Sequence, residues 1–274
     1  MKQKVSKIDY SKAMLPRTRK AQFLDCFKMN YLLLLKCGLM FFAFALPLIA
    51  FSIFMDFYYM SIIEHATEAV EQTKLVFFYF YNGGVVLLLL PVVLGLCGVM
   101  HILKNFIWEE GIFFVADFGT GIKENAGKSI VFYLICAVLY LLSYFIYSMF
   151  TVPIVSYAPL FIFAFIIFPI FLWVLFLNNT YTSHFAQLLR NGTFFYVKSL
   201  GWSLLASLMC FVPIALLYVP FYFIWLKYVF LVMFFVFIFP IVVLIMTLYC
   251  NSKFDEYINK ESYPDHYLKG LNHD

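Results

Sequence analysis

Side chains that could act together in polar chemistry are concentrated in one stretch, Lys104 to Ser129. Placed on a helix at 100° per residue, Glu110, Asp117 and Glu124 form a line at spacing seven, with Glu109 and Lys123 beside it. Ile107, Phe114, Val115, Phe118 and Ile122 fall on the other face. The chemistry on offer is recognition. A line of carboxylates can pair with a cationic partner, and an apolar face seats the helix at a membrane surface. Gly111, Gly119 and Gly121 each weaken a helix by about 1 kcal/mol relative to alanine. Phe106 and Phe113 also point to the acidic side, so a break near Gly111 or Gly119 is expected. Glu109, Glu110, Asp117, Phe118, Lys123 and Asn125 are the candidates for docking a partner. The same residues also suit local duties: helix capping, interfacial anchoring, or ion pairing with the basic N-terminal tail.

Catalytic groupings are missing from the sequence. The five histidines are dispersed, and His101 with His184 would need a carboxylate such as Glu109 to hold a metal. The six cysteines lie mostly in or beside apolar runs and include no Cys-x-x-Cys pair. There is no glycine-rich phosphate loop and no serine or cysteine in a nucleophile motif. We expect no enzyme activity, cofactor, metal or nucleic-acid partner.

The elements around the charged stretch are apolar. Of the 274 residues 64% are hydrophobic and 12% charged, with mean hydropathy +0.90. A soluble domain carries about twice that charge. Six runs are long enough to cross a bilayer, which takes about 20 residues: Leu32–Phe54, Phe77–Leu103, Ser129–Phe150, Ala158–Leu177, Gly201–Ile224 and Tyr228–Cys250. Lys36 is the one formal charge inside these windows, and it can reach the interface. The expected organisation is a basic tail with an entry segment (1–31), a six-span domain (32–250) and a C-terminal tail (251–274).

Charge placement gives the topology. Sixteen of the 19 Lys and Arg fall in the two tails and the second and fourth connections. Lys74 and Lys227 alone fall on the other side. That asymmetry predicts both termini in the cytosol. The first run starts after a basic tail and is longer than the core of a signal peptide, so it reads as a retained span. Asp56, Glu64, Glu68 and Glu71 give the first external connection the character of a short solvated helix. Pro47, Pro91, Pro169, Pro213, Pro220 and Pro240 predict kinks. Gly83, Gly84, Gly95 and Gly98 predict close approach to the second span.

A recurring pattern precedes the odd spans. Phe27-Lys28-Met29-Asn30 stands before the first and Ile122-Lys123-Glu124-Asn125 before the third. Leu189-Arg190-Asn191 before the fifth is looser, and Lys198-Ser199 repeats Lys128-Ser129. These echoes suggest three related units, each an entry segment plus a helical hairpin. Chance repetition of short patterns is the competing explanation.

The stretch with Gly98, Lys104, Glu109-Glu110-Gly111, Asp117-Phe118, Lys123-Glu124-Asn125 and Ser129 resembles the YesL-like bacterial membrane proteins, a family of unknown function. Asn30 to Pro47 and Phe185 to Ser199 are also similar. Position 119 departs, with glycine where the family tends to have an aromatic residue. The resemblance implies a multi-pass protein of the bacterial cell membrane, in a family some of whose members are associated with carbohydrate uptake. The expected fold is all-α and polytopic, with six spans and cytoplasmic interfacial helices. The expected function is accessory to a transport system, with transporter subunits or a second copy as partner within the lipid bilayer. The alternative is a permease or facilitator for a small solute, using Tyr140, Tyr144, Tyr147, Tyr218 and Tyr222.

Overall fold

The computed structural model describes residues 15–64, 70–218 and 224–272, which are helical with no strand among them. A short helix α1 (Arg19–Met29) breaks at Asn30 into α2 (Tyr31–Glu64). Then come α3 (Val70–Ile107), α4 (Phe114–Met149) and α5 (Pro153–Thr180). A second short helix, α6 (Phe185–Lys198), breaks at Ser199 into α7 (Leu200–Tyr218). The last long helix is α8 (Trp225–Ser262), followed by a 3-10 turn at Pro264–His266. Helices α2, α3, α4, α5, α7 and α8 are the six that are long and apolar enough to span a membrane. The chain is therefore a multi-pass membrane protein.

The two ends of the described residues meet on one side of the bundle, here called the tail side. Arg19 Nη2 meets Asp255 Oδ2 at 2.8 Å, and the Asn272 amide donates to Pro16 O at 3.1 Å. On this side the helices overrun the spans expected from the sequence. The last helix continues past Cys250 to Ser262. Each entry helix packs against the tail-side part of an even-numbered span. The first half of α4 lies on α3, where a Cβ on Gly121 would fall 2.4 Å from His101 Cβ and one on Gly98 would fall 2.6 Å from the Phe118 ring. Helix α6 lies on α5, with Gly192 against Val174 and Phe195 stacked on Trp173 at 5.1 Å. Helix α1 reaches α8 through the Arg19–Asp255 pair.

Two spans share an irregularity with a clear cause. A π-helical turn at Phe163–Ile167 precedes Pro169, and another at Phe234–Ile238 precedes Pro240. Proline has no N–H and its ring crowds the carbonyl four residues back, so the turn before it widens. The carbonyl released before Pro169, Phe165 O, accepts a hydrogen bond from Tyr196 Oη at 2.8 Å. The carbonyl before Pro240, Val236 O, projects into α2 at Gly38, where a Cβ would lie 1.9 Å away. In an apolar medium such freed carbonyls need partners of this kind.

The side opposite the tails, here the distal side, differs from expectation. Asp56 lies within α2, not in a solvated loop. Lys227 is buried, with 2% exposure of its side chain, and donates to Asp56 Oδ2 at 2.6 Å and to Leu217 O at 2.8 Å. Tyr228 Oη donates to the same carboxylate oxygen at 2.5 Å. An ammonium this deep requires acceptors of this kind. Glu64 and Glu71 belong to the ends of α2 and α3, while His65, Glu68, Pro220 and Tyr222 lie outside the described residues.

Candidate functional site

The charged stretch forms the centre of a tail-side cap. Helix α3 ends at Ile107, and the chain turns through Trp108–Phe113 with Glu109 in the left-handed region at φ 55°. The break thus falls at Gly111. Asp117 caps the start of the next helix, its Oδ2 accepting the Phe113 amide at 2.7 Å, and the helix then runs unbroken through Gly119 and Gly121. The apolar face drawn from the sequence is rotated. Val115 is 77% exposed, while Phe118, Gly121, Asn125 and Ser129 form the buried stripe. Small and amide residues are buried there because that stripe packs on α3 and α5.

Of the six candidate docking residues, four have structural partners inside the cap. Phe118 fills the space above Gly98 and contacts Phe44 at 5.5 Å. Asp117 is the helix cap. Asn125 Nδ2 donates to Gly121 O at 3.0 Å and to Asn179 Oδ1 at 3.1 Å, and Asn125 O accepts from Asn178 Nδ2 at 3.0 Å. Asn178 Nδ2 also reaches Ser129 Oγ at 3.2 Å. Lys104 Nζ donates to Asn179 O at 3.2 Å, which ties α3, α4 and α5 together. Glu110 pairs with Lys269 of the C-terminal segment at 2.5 Å. Glu109 and Lys123 stand exposed on the surface, as does Glu124.

The C-terminal segment closes the cap. Trp108 lies between two ammonium groups, Lys104 at 5.1 Å and Lys269 at 4.4 Å from the ring centre, and its indole N–H donates to Asn251 Oδ1 at 3.2 Å. His266 lies against Trp108 at 4.8 Å and against Tyr263 at 5.7 Å. Gln22 Nε2 donates to Ile107 O at 2.5 Å and Gly270 O at 3.4 Å. Gly270 has φ +80°, and a Cβ there would sit 2.0 Å from Ile107 O. Asp255 Oδ1 accepts from Asn259 Nδ2 at 2.8 Å and from the Leu268 amide at 3.1 Å. Asn259 Oδ1 accepts from Tyr181 Oη at 2.6 Å.

Burial sets the titration of these groups. It pushes the Tyr181 hydroxyl up. It holds the His266 imidazole below its ordinary range, reinforced by Lys269 and Lys104. His266 Nδ1 is buried with no hydrogen-bond partner, as is His101 Nδ1. His101 is buried between α3 and α4 whereas His184 is exposed before α6, so the two do not share a site. Among the described residues no three His, Cys, Asp or Glu side chains converge as metal ligands would.

Sequence reasoning passed over the other half of the cap: Arg19, Gln22, Asn178, Asn179, Asn251, Asp255 and Asn259. One signal was available. Asn251, Asp255 and Asn259 recur every four residues beyond the last apolar run, so they mark one polar face on a continuing helix. Comparisons with protein families, curated proteins and solved structures give no match.

Proposed function

We propose that this chain is a non-enzymatic accessory protein that assists or regulates a transport system in a bacterial cell membrane, with both termini in the cytosol. The resemblance to the YesL-like proteins makes carbohydrate uptake the setting. The observation that carries this reading is the division of labour in the cap. Ion pairs and buried amides hold it together, and Glu109, Lys123 and Glu124 are left on its outer surface for a partner, either a transporter subunit or a second copy. The packing of α1, the start of α4 and α6 on even-numbered spans supports three related units.

A facilitator for a small polar solute would need polar walls along its path. The central cavities have walls almost wholly of carbon, and Tyr140 commits its hydroxyl to Asn82 Oδ1 at 2.8 Å. The test is cross-linking in native membranes with Glu109→Lys, Lys123→Glu and Glu124→Lys combined. The expected result is loss of co-purified transporter subunits with unchanged membrane insertion. Undiminished recovery of those subunits would sink the docking reading. Reversal of Glu110 or Asp117 is a poorer test, because it also breaks the Lys269 pair or the cap of α4.

A further inference from the structure

The middle of the bundle contains two cavities of about 80 and 120 Å³. They share Leu89, Tyr133, Phe168, Phe171 and Ile214 as walls, so they lie side by side. Their surface is almost wholly carbon. The hydroxyls nearby are turned to protein acceptors: Tyr133 donates to Val86 O, and Tyr140 to Asn82 Oδ1 at 2.8 Å. Water would find too few partners there, since a buried water makes about three hydrogen bonds. An empty space would forfeit the dispersion contacts of its lining. Apolar cavities of about 150 Å³ stay dry and take up small hydrocarbons.

The surroundings favour a chain over a compact ring. The smaller cavity is lined by α3, α4, α5 and α7, and the outward faces of α4 and α7 present Val138, Leu208 and Val212 where lipid would be. At the distal ends of the helices around it, polar groups gather. Tyr79 hydrogen-bonds Ser148, and Tyr147 lies 5.2 Å from Tyr157. Carbon walls beneath a belt of phenols match an amphiphile whose tail enters the bundle while its head stays at the interface.

We propose that these adjacent cavities bind a segment of one acyl chain of a bilayer lipid drawn from the distal leaflet. The proposal is independent of the docking function of the cap. It is tested with the full chain in lipid nanodiscs containing a phosphatidylcholine that bears a diazirine in one acyl chain, with diazirine-bearing palmitic acid in a parallel sample. After illumination the labelled residues are mapped by mass spectrometry. The expected result is phospholipid labelling of Tyr133, Cys136 or Ile214, in addition to the outward-facing Val138 and Leu208. Ala137→Trp, which fills the smaller cavity, is expected to abolish the inner labelling and leave the outer labelling as a control. Leu89→Ala, which enlarges both cavities, is expected to raise it, and it keeps the test decisive should the tryptophan variant fail to fold. Labelling confined to outward-facing residues would overturn the proposal, as would inner labelling that neither variant changes. Inner labelling by palmitate with none by the phospholipid would overturn the assignment to a bilayer lipid.

Discussion

Single residues decide whether the cap closes. Gly270 holds a left-handed backbone and lets the C-terminal segment touch Ile107 O, where any side chain would collide. Gly270→Ala should weaken docking of this segment by at least about 1–2 kcal/mol, the left-handed penalty alone. Limited proteolysis after Lys269 should then be faster, with the spans unaffected. His266 gives the same contact a pH dependence. Its imidazole faces Trp108, Tyr181 and Tyr263, two cations in Lys104 and Lys269, and the acids Asp265 and Glu110. The docked state holds its proton affinity below the free value of about 6.5. Docking is therefore at full strength above that pH and weakens as pH falls below it. Hydrogen exchange of Leu268 and Leu271 measured at pH 7.5 and 5.5 checks this, and His266→Gln should flatten the difference. None of this was legible in the sequence, because a glycine and a histidine in a polar tail carry no periodic signal. Asp117 was legible both as a docking candidate and as a helix cap, and the Phe113 amide it accepts makes it the cap.

At the scale of elements, the spans emerge from hydropathy alone and their mutual approach from a few small residues. Gly98 was singled out as a contact point, and it receives the Phe118 ring. Gly121 looked like a helix breaker but is a second contact point, because tertiary packing on α3 outweighs the loss of helix propensity of about 1 kcal/mol. Gly121→Leu should destabilise the bundle by about 1–3 kcal/mol through overpacking against His101 and Cys97 O. Thermal unfolding in detergent reads that cost. The Asp56–Lys227 pair joins the first and last spans on the distal side. Lys227→Met leaves Asp56 buried in part without its cation, at a cost of about 3 kcal/mol, the low end for a broken pair because Asp56 keeps some exposure. The combined change with Asp56→Leu should recover most of that loss in the same assay. The sequence placed both charges in water, because hydropathy windows end where helices merely become less apolar.

Across the whole molecule, the closing contact is between chain ends. Arg19 and Asp255 lie 236 positions apart and meet as an ion pair. Cysteines placed at exposed Lys20 and Lys260 in a cysteine-free background should be labelled by an impermeant maleimide from one and the same side of the membrane. Labelling from the cytosolic side would agree with the charge bias of the loops, and labelling from opposite sides would contradict the fold. The sequence by itself determined the class of the protein, the number of spans and the charge asymmetry between the two sides. Those follow from sums over many residues, such as the free energy of placing apolar runs in hydrocarbon, and they need no knowledge of neighbours. Only the tertiary structure decided which polar residues are committed to the cap and which remain on its surface. It also decided that the bundle contains carbon-walled cavities. Both depend on contacts between residues far apart in the chain, and a hydropathy profile is blind to them. The stretch from Lys104 to Ser129 shows the division. Its charge marked it in the sequence, but only the fold shows Asn125 buried between α4 and α5 and Glu110 held by the C-terminal segment.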